Sequence, residues 1–320
     1  MKNKFLKCSL AIVGLTIGLA SCEKENQTTE ETSVELQVPE KIISFNKAVD
    51  EYNNFYNTRI APFKGKSNLD ETRAVWFDLE SLENHLEKIE TVAQEKGIQV
   101  SHLGFVLGAN TNNVRTITIA PMASHPDTGE NMPFSINNNQ ITFLDNNAFD
   151  KYSNITDLNS LTDKSQSLLL STNGYISSAQ TIEMYNNYYD TKVAPLYNVV
   201  ANDSRICFYT KETFKNYITY IKRQAVDNNI SLSGFNIVFG VYGDNPTLGR
   251  EFANHQTLFF APTKTDTKSN DNKSYNFNGE SIINIDFSQN ILEKIISKLD
   301  NVESSSLANE IAGAPPMGIE

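Results

Sequence analysis

Two short blocks place tyrosine, asparagine and a second aromatic at helical spacing: Tyr52-Asn53-Asn54-Phe55-Tyr56 and Tyr185-Asn186-Asn187-Tyr188-Tyr189. Aromatic faces beside amides suit stacking on a sugar ring and hydrogen bonding to its hydroxyls. Asn54, Tyr56, Asn187 and Tyr189 are therefore candidate ligand contacts. A structural role competes with this one. Tyr52 and Tyr56 lie at i and i+4, the spacing of a helix core face, and that spacing favours the structural role. Arg73 and Arg205 open apolar runs, each followed seven residues on by a glutamate, Glu80 and Glu212. A guanidinium in a cleft binds anions through its planar fork. A buried Arg–Glu pair joining strand to helix is the plainer expectation.

Signatures of covalent or metal-assisted chemistry do not occur. The chain contains no Gly-x-Ser-x-Gly elbow, no phosphate-binding glycine loop and no His-Glu-x-x-His. Its four histidines, His85, His102, His125 and His255, match no zinc spacing. Neither a cofactor nor a metal is expected. The oxygen-rich stretches at Asp244-Asn245 and residues 266–276 lack the EF-hand pattern. A hydrolase acting between two halves of the chain would draw on Asp78, Glu80, Asp145, Glu212 or Asp286. A glycosidase of that kind needs two carboxylates about 5–9 Å apart.

Composition narrows the classes further. The 320 residues are 39% hydrophobic and 20% charged, with 38 Asp and Glu against 27 Lys and Arg. That hydrophobic content supports a folded core, and the acidic balance argues against a nucleic-acid partner, which requires a cationic face. Three cysteines are too few for a disulfide scaffold.

The amino terminus carries an address. Lys2, Lys4 and Lys7 precede an apolar run from Leu10 to Leu19, too short to span a bilayer, which ends in Leu19-Ala20-Ser21-Cys22. This segment resembles the leader of bacterial lipoprotein precursors. The resemblance implies cleavage before Cys22, lipid attachment to its thiol, and anchorage of the mature chain to a membrane outside the cytoplasm, at the outer membrane. Several acyl chains, at about 0.8 kcal/mol per buried CH2, make a durable anchor. Residues 23–40 carry six glutamates and one lysine without apolar periodicity, which reads as a self-repelling tether. The Lys24-Glu25 pair is similar to the short acidic export signals of surface lipoproteins in Bacteroidota. Cys207 then remains as the single thiol of the mature body, in the strand-like run Arg205-Ile206-Cys207-Phe208-Tyr209, and is expected to be buried and inert.

An internal repeat organises the rest. The block Tyr52 to Pro62 recurs as Tyr185 to Pro195 at an offset of 133, Arg73 to Gly108 at 132, and Thr116 to Pro121 at 141. The nine extra residues fall in one turn near Gly243 to Pro246, where insertions are tolerated. Each repeat predicts helix, strand, helix, then three strands, an α+β unit. Leu82, Leu86, Ile89 and Ala93 form one helix face, matched by Phe214, Ile218, Ile221 and Ala225. Asp78 and Thr210 stand at N-caps, and Gly97 and Asn229 at left-handed helix ends. The strand–helix–strand order suggests a right-handed parallel crossover and hence a mixed sheet in each unit, with the two units as a pseudo-twofold pair.

The expected organisation is a leader at 1–21, acylated Cys22 and tether at 22–40, repeats at 41–147 and 177–300, a linker at 148–176 and a flexible tail at 301–320. A short helix is expected near Leu168 to Leu170, and a C-terminal helix from Ile291 to Leu299. These features point to a lipid-anchored envelope protein that captures glycan or protein without catalysis. A carboxylate hydrolase and a purely structural envelope protein are the alternatives.

Overall fold

The computed structural model describes residues 38–65, 70–137, 140–144, 167–198, 203–244, 249–278, 281–296, 300–309 and 312–314, with residues 200, 246 and 298. The leader, Cys22, the tether before Val38, Asp145 and residues 148–166 lie outside the described residues.

The first segment runs β1 (Ile42–Ile43), α1 (Phe45–Phe55), β2 (Ala74–Asp78), α2 (Leu79–Lys96), β3 (His102–Ala109), β4 (Arg115–Ser124), β5 (Asn131–Asn137) and β6 (Gln140–Phe143). Next come β7 (Leu170–Ser171), β8 (Gly174–Tyr175), α3 (Ser178–Tyr188), β9 (Ile206–Thr210), α4 (Lys211–Asp227), β10 (Leu232–Val241), β11 (Gln256–Thr265), β12 (Asn272–Asn278) and β13 (Ser281–Ile285). The chain finishes with β14 (Leu307–Ala308) and β15 (Ala312–Ala314).

Local chemistry sets the helix ends. The Asp78 carboxylate accepts from the Ser81 N–H at 2.8 Å, and the Thr210 hydroxyl oxygen from the Thr213 N–H at 3.0 Å. Gly97 closes α2 at φ 65°, and Asn229 follows α4 at φ 56°. Beyond α1 and α3 the backbone widens into π-helical turns, Tyr56–Ile60 and Tyr189–Val193, before three-residue 3-10 turns at each Ala-Pro. Thr58 and Thr191 donate their hydroxyls to the carbonyls of Asn54 and Asn187, both at 2.6 Å, inside the turns that widen.

The fold is α+β, but its sheets are antiparallel throughout, not mixed. One sheet has the order β1-β14-β11-β10-β2, with β12 and β13 continuing from β11; the other has the order β15-β9-β3-β4-β5-β6, with β7 and β8 attached through β4. The expected parallel crossover is absent because β2 and β3 belong to different sheets. β2 pairs with β10 of the later segment, Ala74 opposite Val238 and Phe77 opposite Phe235, while β9 pairs with β3, Cys207 opposite Phe105. The helices follow their strands: α1 packs on β10 and α3 on β3. Each helix–strand–helix portion thus completes the four-strand portion of the other segment, so the expected units are not separable domains. Gly234 admits the close approach of β2, since a Cβ there would sit 2.2 Å from the Phe77 carbonyl oxygen.

The exchange welds one core from both sheets. Phe260 of β11 meets Phe105 of β3, Tyr209 of β9 and Phe214 of α4, each at a centroid distance of 5.2 Å. Full burial of such a ring contributes roughly 1.5–3 kcal/mol.

Three local expectations are corrected. Residues 291–296 are not helical; two asparagines of α1 hold this stretch extended, as described below. Leu170 lies in β7 opposite Ile119 rather than in a short helix, and Leu168 before it has φ 55°. The tail is part of the fold through β14 and β15. Ser305, Ser306, Leu307 and Asn309 are fully buried, and the Asn276 side-chain oxygen accepts from the Ser306 N–H at 2.8 Å. Its small residues pack and pair their backbone, a stabilisation that hydrophobicity does not reveal.

Candidate binding site

The two tyrosine blocks and the two arginines come together in space, one cluster on α1 and one on α3. On α1, the Arg73 guanidinium lies 5.2 Å from the Tyr56 ring centroid, a cation–π contact, and Tyr52 is packed beside it. Burial pushes the Tyr52 hydroxyl up to about 12, against the opposing pull of Arg73. The expected Arg73–Glu80 pair does not form: Glu80 is exposed on α2, and the recorded ion pair of Arg73 is a 3.9 Å contact with Glu71.

This first cluster is filled by the chain itself. The stretch after β13 crosses α1 in extended form. Tyr52 donates its hydroxyl toward the carbonyls of Phe287 (2.8 Å) and Gln289 (2.5 Å). Arg73 donates to the Ser288 carbonyl (3.1 Å) and the Asn290 side-chain oxygen (2.5 Å). Asn53 and Asn46 each grip one residue by both main-chain groups. Leu292 donates to and accepts from the Asn53 amide at 2.8 and 2.9 Å, and Ile295 does so with Asn46 at 2.8 and 3.1 Å. A side-chain amide presents an N–H donor and a carbonyl acceptor side by side, the complement of the main-chain groups of one residue.

The second cluster has the same residues and different contacts. Arg205 is 3% exposed, with its guanidinium 4.2 Å from the Tyr185 ring centroid and 4.8 Å from that of Tyr189. Its Nε is buried without a hydrogen-bond partner, as is that of Arg73. Unlike Arg73, its fork meets no acceptor among the described residues. Burial lowers the Arg205 pKa, opposed by nearby Tyr185, Tyr189 and Asp190. Glu212, the expected partner, is exposed on α4.

No family model, curated protein or solved structure matches this chain.

Asn54 and Asn187, two further candidates, turn toward strand ends. Asn187 donates to the carbonyls of Ala109 and Asn110 at 3.2 and 2.6 Å, and Asn54 to that of Val241 at 3.4 Å. Each fastens its helix to the strand of the other segment. Of the sequence candidates, the structure brings Tyr56 to Arg73 and Tyr189 to Arg205, and uses both asparagines as pins. Asn53 and Asn46, which hold the extended strand, carried no separate signal.

A buried ionic network also escaped the sequence. Arg59 Nε is 2.7 Å from Asp203 Oδ2, and Arg115 Nη1 is 2.9 Å from Asp70 Oδ2, with Lys192 Nζ at 3.1 Å from the same oxygen. Gln256 donates to Asp203 at 2.7 Å through both its backbone and its side chain, and accepts from the Tyr188 hydroxyl at 2.5 Å. Arg115 donates to the Arg59 carbonyl at 3.2 Å, joining the two groups. Burial would raise the Asp70 carboxyl, but Arg115, Thr72 and Lys192 hold it below its usual range. The signal available was the repeat offset of 133, which aligns Arg59 with Lys192 and Asp70 with Asp203.

The remaining candidates are separate. Asp78 caps α2, and Asp286 is exposed and accepts from its neighbour Ser288. Among the described residues, no three His, Cys, Asp or Glu side chains gather as metal ligands, and no helix is long and apolar enough to cross a membrane. Cys207 is fully buried, which raises its thiol pKa.

Proposed function

We propose that this protein is lipid-anchored at the outer membrane through Cys22, outside the cytoplasm, and has a non-enzymatic binding or scaffold role there. Capture of protein or glycan is its task. The anchorage rests on the resemblance of residues 1–22 to lipoprotein leaders. The observation that carries a binding role is Arg205, a buried cation set against two tyrosine rings with no acceptor for its fork among the described residues. Leaving such a group unpaired costs on the order of 1–3 kcal/mol or more, which a ligand would recover. A purely structural envelope role is the second reading, favoured by the first cluster, where the same residues bind the chain's own strand.

Two measurements test this. Cys22→Ala should abolish incorporation of labelled lipid and release the protein from membranes; continued labelling would remove the anchor. A glycan array and a cross-linking pull-down with the body from Val34 onward should return a defined sugar or envelope protein. Release of a cleaved product would instead favour a hydrolase.

A further inference from the structure

The two sheets end differently at equivalent strands. β9 is closed on its outer side by β15, with Ala314 opposite Ile206 and Ala312 opposite Phe208. β2, its counterpart at the repeat offset of 132, pairs with β10 and ends its sheet. Register settles which groups this leaves over. The Arg73 carbonyl accepts from the Phe239 N–H at 2.8 Å, as the Arg205 carbonyl does from the Leu107 N–H at 2.9 Å. Main-chain groups alternate in direction along a strand, so those of Val75 and Phe77 also face β10, and those of Ala74 and Trp76 face away. Ala74 and Trp76 correspond to Ile206 and Phe208, the two residues whose outward groups β15 engages. On β2 these N–H and C=O groups meet no main-chain partner among the described residues. Leu170 of β7 faces Ile119 as Ala308 of β14 faces Phe260, yet β7 turns at once into β8 and supplies no strand equivalent to β15.

An unpaired edge is a template for one more strand, and the charges around it select which. Glu71 and Glu80, both exposed, stand before and after β2, with Asp78 at its end; from Asp70 to Glu87 the one basic residue is Arg73, which is buried. Pairing the β2 edges of two copies would bring these carboxylates together in a chain of net charge −11. That opposes self-association and favours a cationic strand. We propose that the outer edge of β2 docks an extended, lysine- or arginine-flanked segment of a partner protein as an added antiparallel strand. The main-chain groups of Ala74 and Trp76 hold the segment, and Glu71 and Glu80 receive its flanking cations. An alanine-sized residue opposite Trp76 repeats the pairing of Ala312 with Phe208. This edge belongs to β2 and the Arg205 cluster to α3 and β9, so either can fail without the other.

The probe is the synthetic peptide Lys-Lys-Ala-Gly-Ala-Gly-Ala-Lys-Lys, titrated into the whole protein. Trp76 is the single tryptophan of the chain and reports from the edge itself. A saturable change in its emission is expected, with hydrogen exchange slowed at the Ala74 and Trp76 amides and unchanged at Val75, which already faces β10. Ala74→Pro removes an outward N–H without touching the β10 ladder and should weaken binding at least tenfold. Glu71→Lys with Glu80→Lys, at exposed positions, should do the same and lessen the salt dependence. Absence of saturable binding, or binding that both changes leave intact, would overturn the proposal. So would sedimentation showing that the protein alone pairs into dimers that Ala74→Pro dissolves, which would assign the edge to a second copy.

Discussion

His85 shows how much one side chain can set. It is 1% exposed, its Nδ1 lies 3.3 Å from the Tyr175 hydroxyl, and its Nε2 has no partner. Burial, with a smaller push from Lys88, lowers its pKa to about 3. The unfolded chain therefore binds the extra proton between pH 6.5 and about 3, and stability falls as pH drops through that window. The loss is about 2 kcal/mol at pH 5. Urea titrations at pH 7.5 and 5 should show this loss, and His85→Leu should remove that part of it; an unchanged slope in the variant would contradict neutral burial. The Arg59–Asp203 pair makes a second demand. Asp203→Ala strands the buried Arg59 guanidinium together with the two Gln256 donors and should cost about 3–5 kcal/mol. A single-variant loss below about 1 kcal/mol in urea unfolding would show the pair to be solvated.

At the scale of elements, the helices and their caps were legible and the partners were not. Apolar spacing located α2 and α4, and Asp78, Thr210, Gly97 and Asn229 marked their ends, because these choices are made by residues within one turn. Ile291 to Leu299 has helical spacing too, yet two asparagines 239 and 249 residues from Leu292 and Ile295 hold residues 291–296 in extended form. Tertiary hydrogen bonds override a weak propensity, and no local pattern announces them. Asn53→Ala removes both bonds to Leu292 and should cost about 1–3 kcal/mol. Hydrogen exchange at the Leu292 amide should accelerate well ahead of the β10 and β11 amides; equal rates in variant and parent would mean the grip holds nothing.

For the whole molecule, the decisive feature is that each helix–strand–helix portion completes the sheet of the other segment. Alternation and amphipathicity specify which face of a strand is buried, and the same faces would be buried whether β2 joined β3 or β10. Periodicity therefore located the strands and left their sheet open. The tail was misjudged for a related reason, since Ser305 to Asn309 stabilise β11 through backbone pairing and buried hydrogen bonds. Ending the chain at Glu303 should lower the thermal midpoint by several degrees or prevent folding, where a loose tail would leave it unchanged. The exchange itself is tested most directly by disulfide trapping. Ala74 stands opposite Val238 in the pairing of β2 with β10, and Val106 is the residue of β3 that corresponds to Val238. Under mild oxidation, Ala74→Cys with Val238→Cys should form an intramolecular disulfide in the monomer, identified by mass spectrometry of the unreduced digest. Ala74→Cys with Val106→Cys should remain reduced. A crosslink in the second pair and none in the first would contradict the exchanged fold.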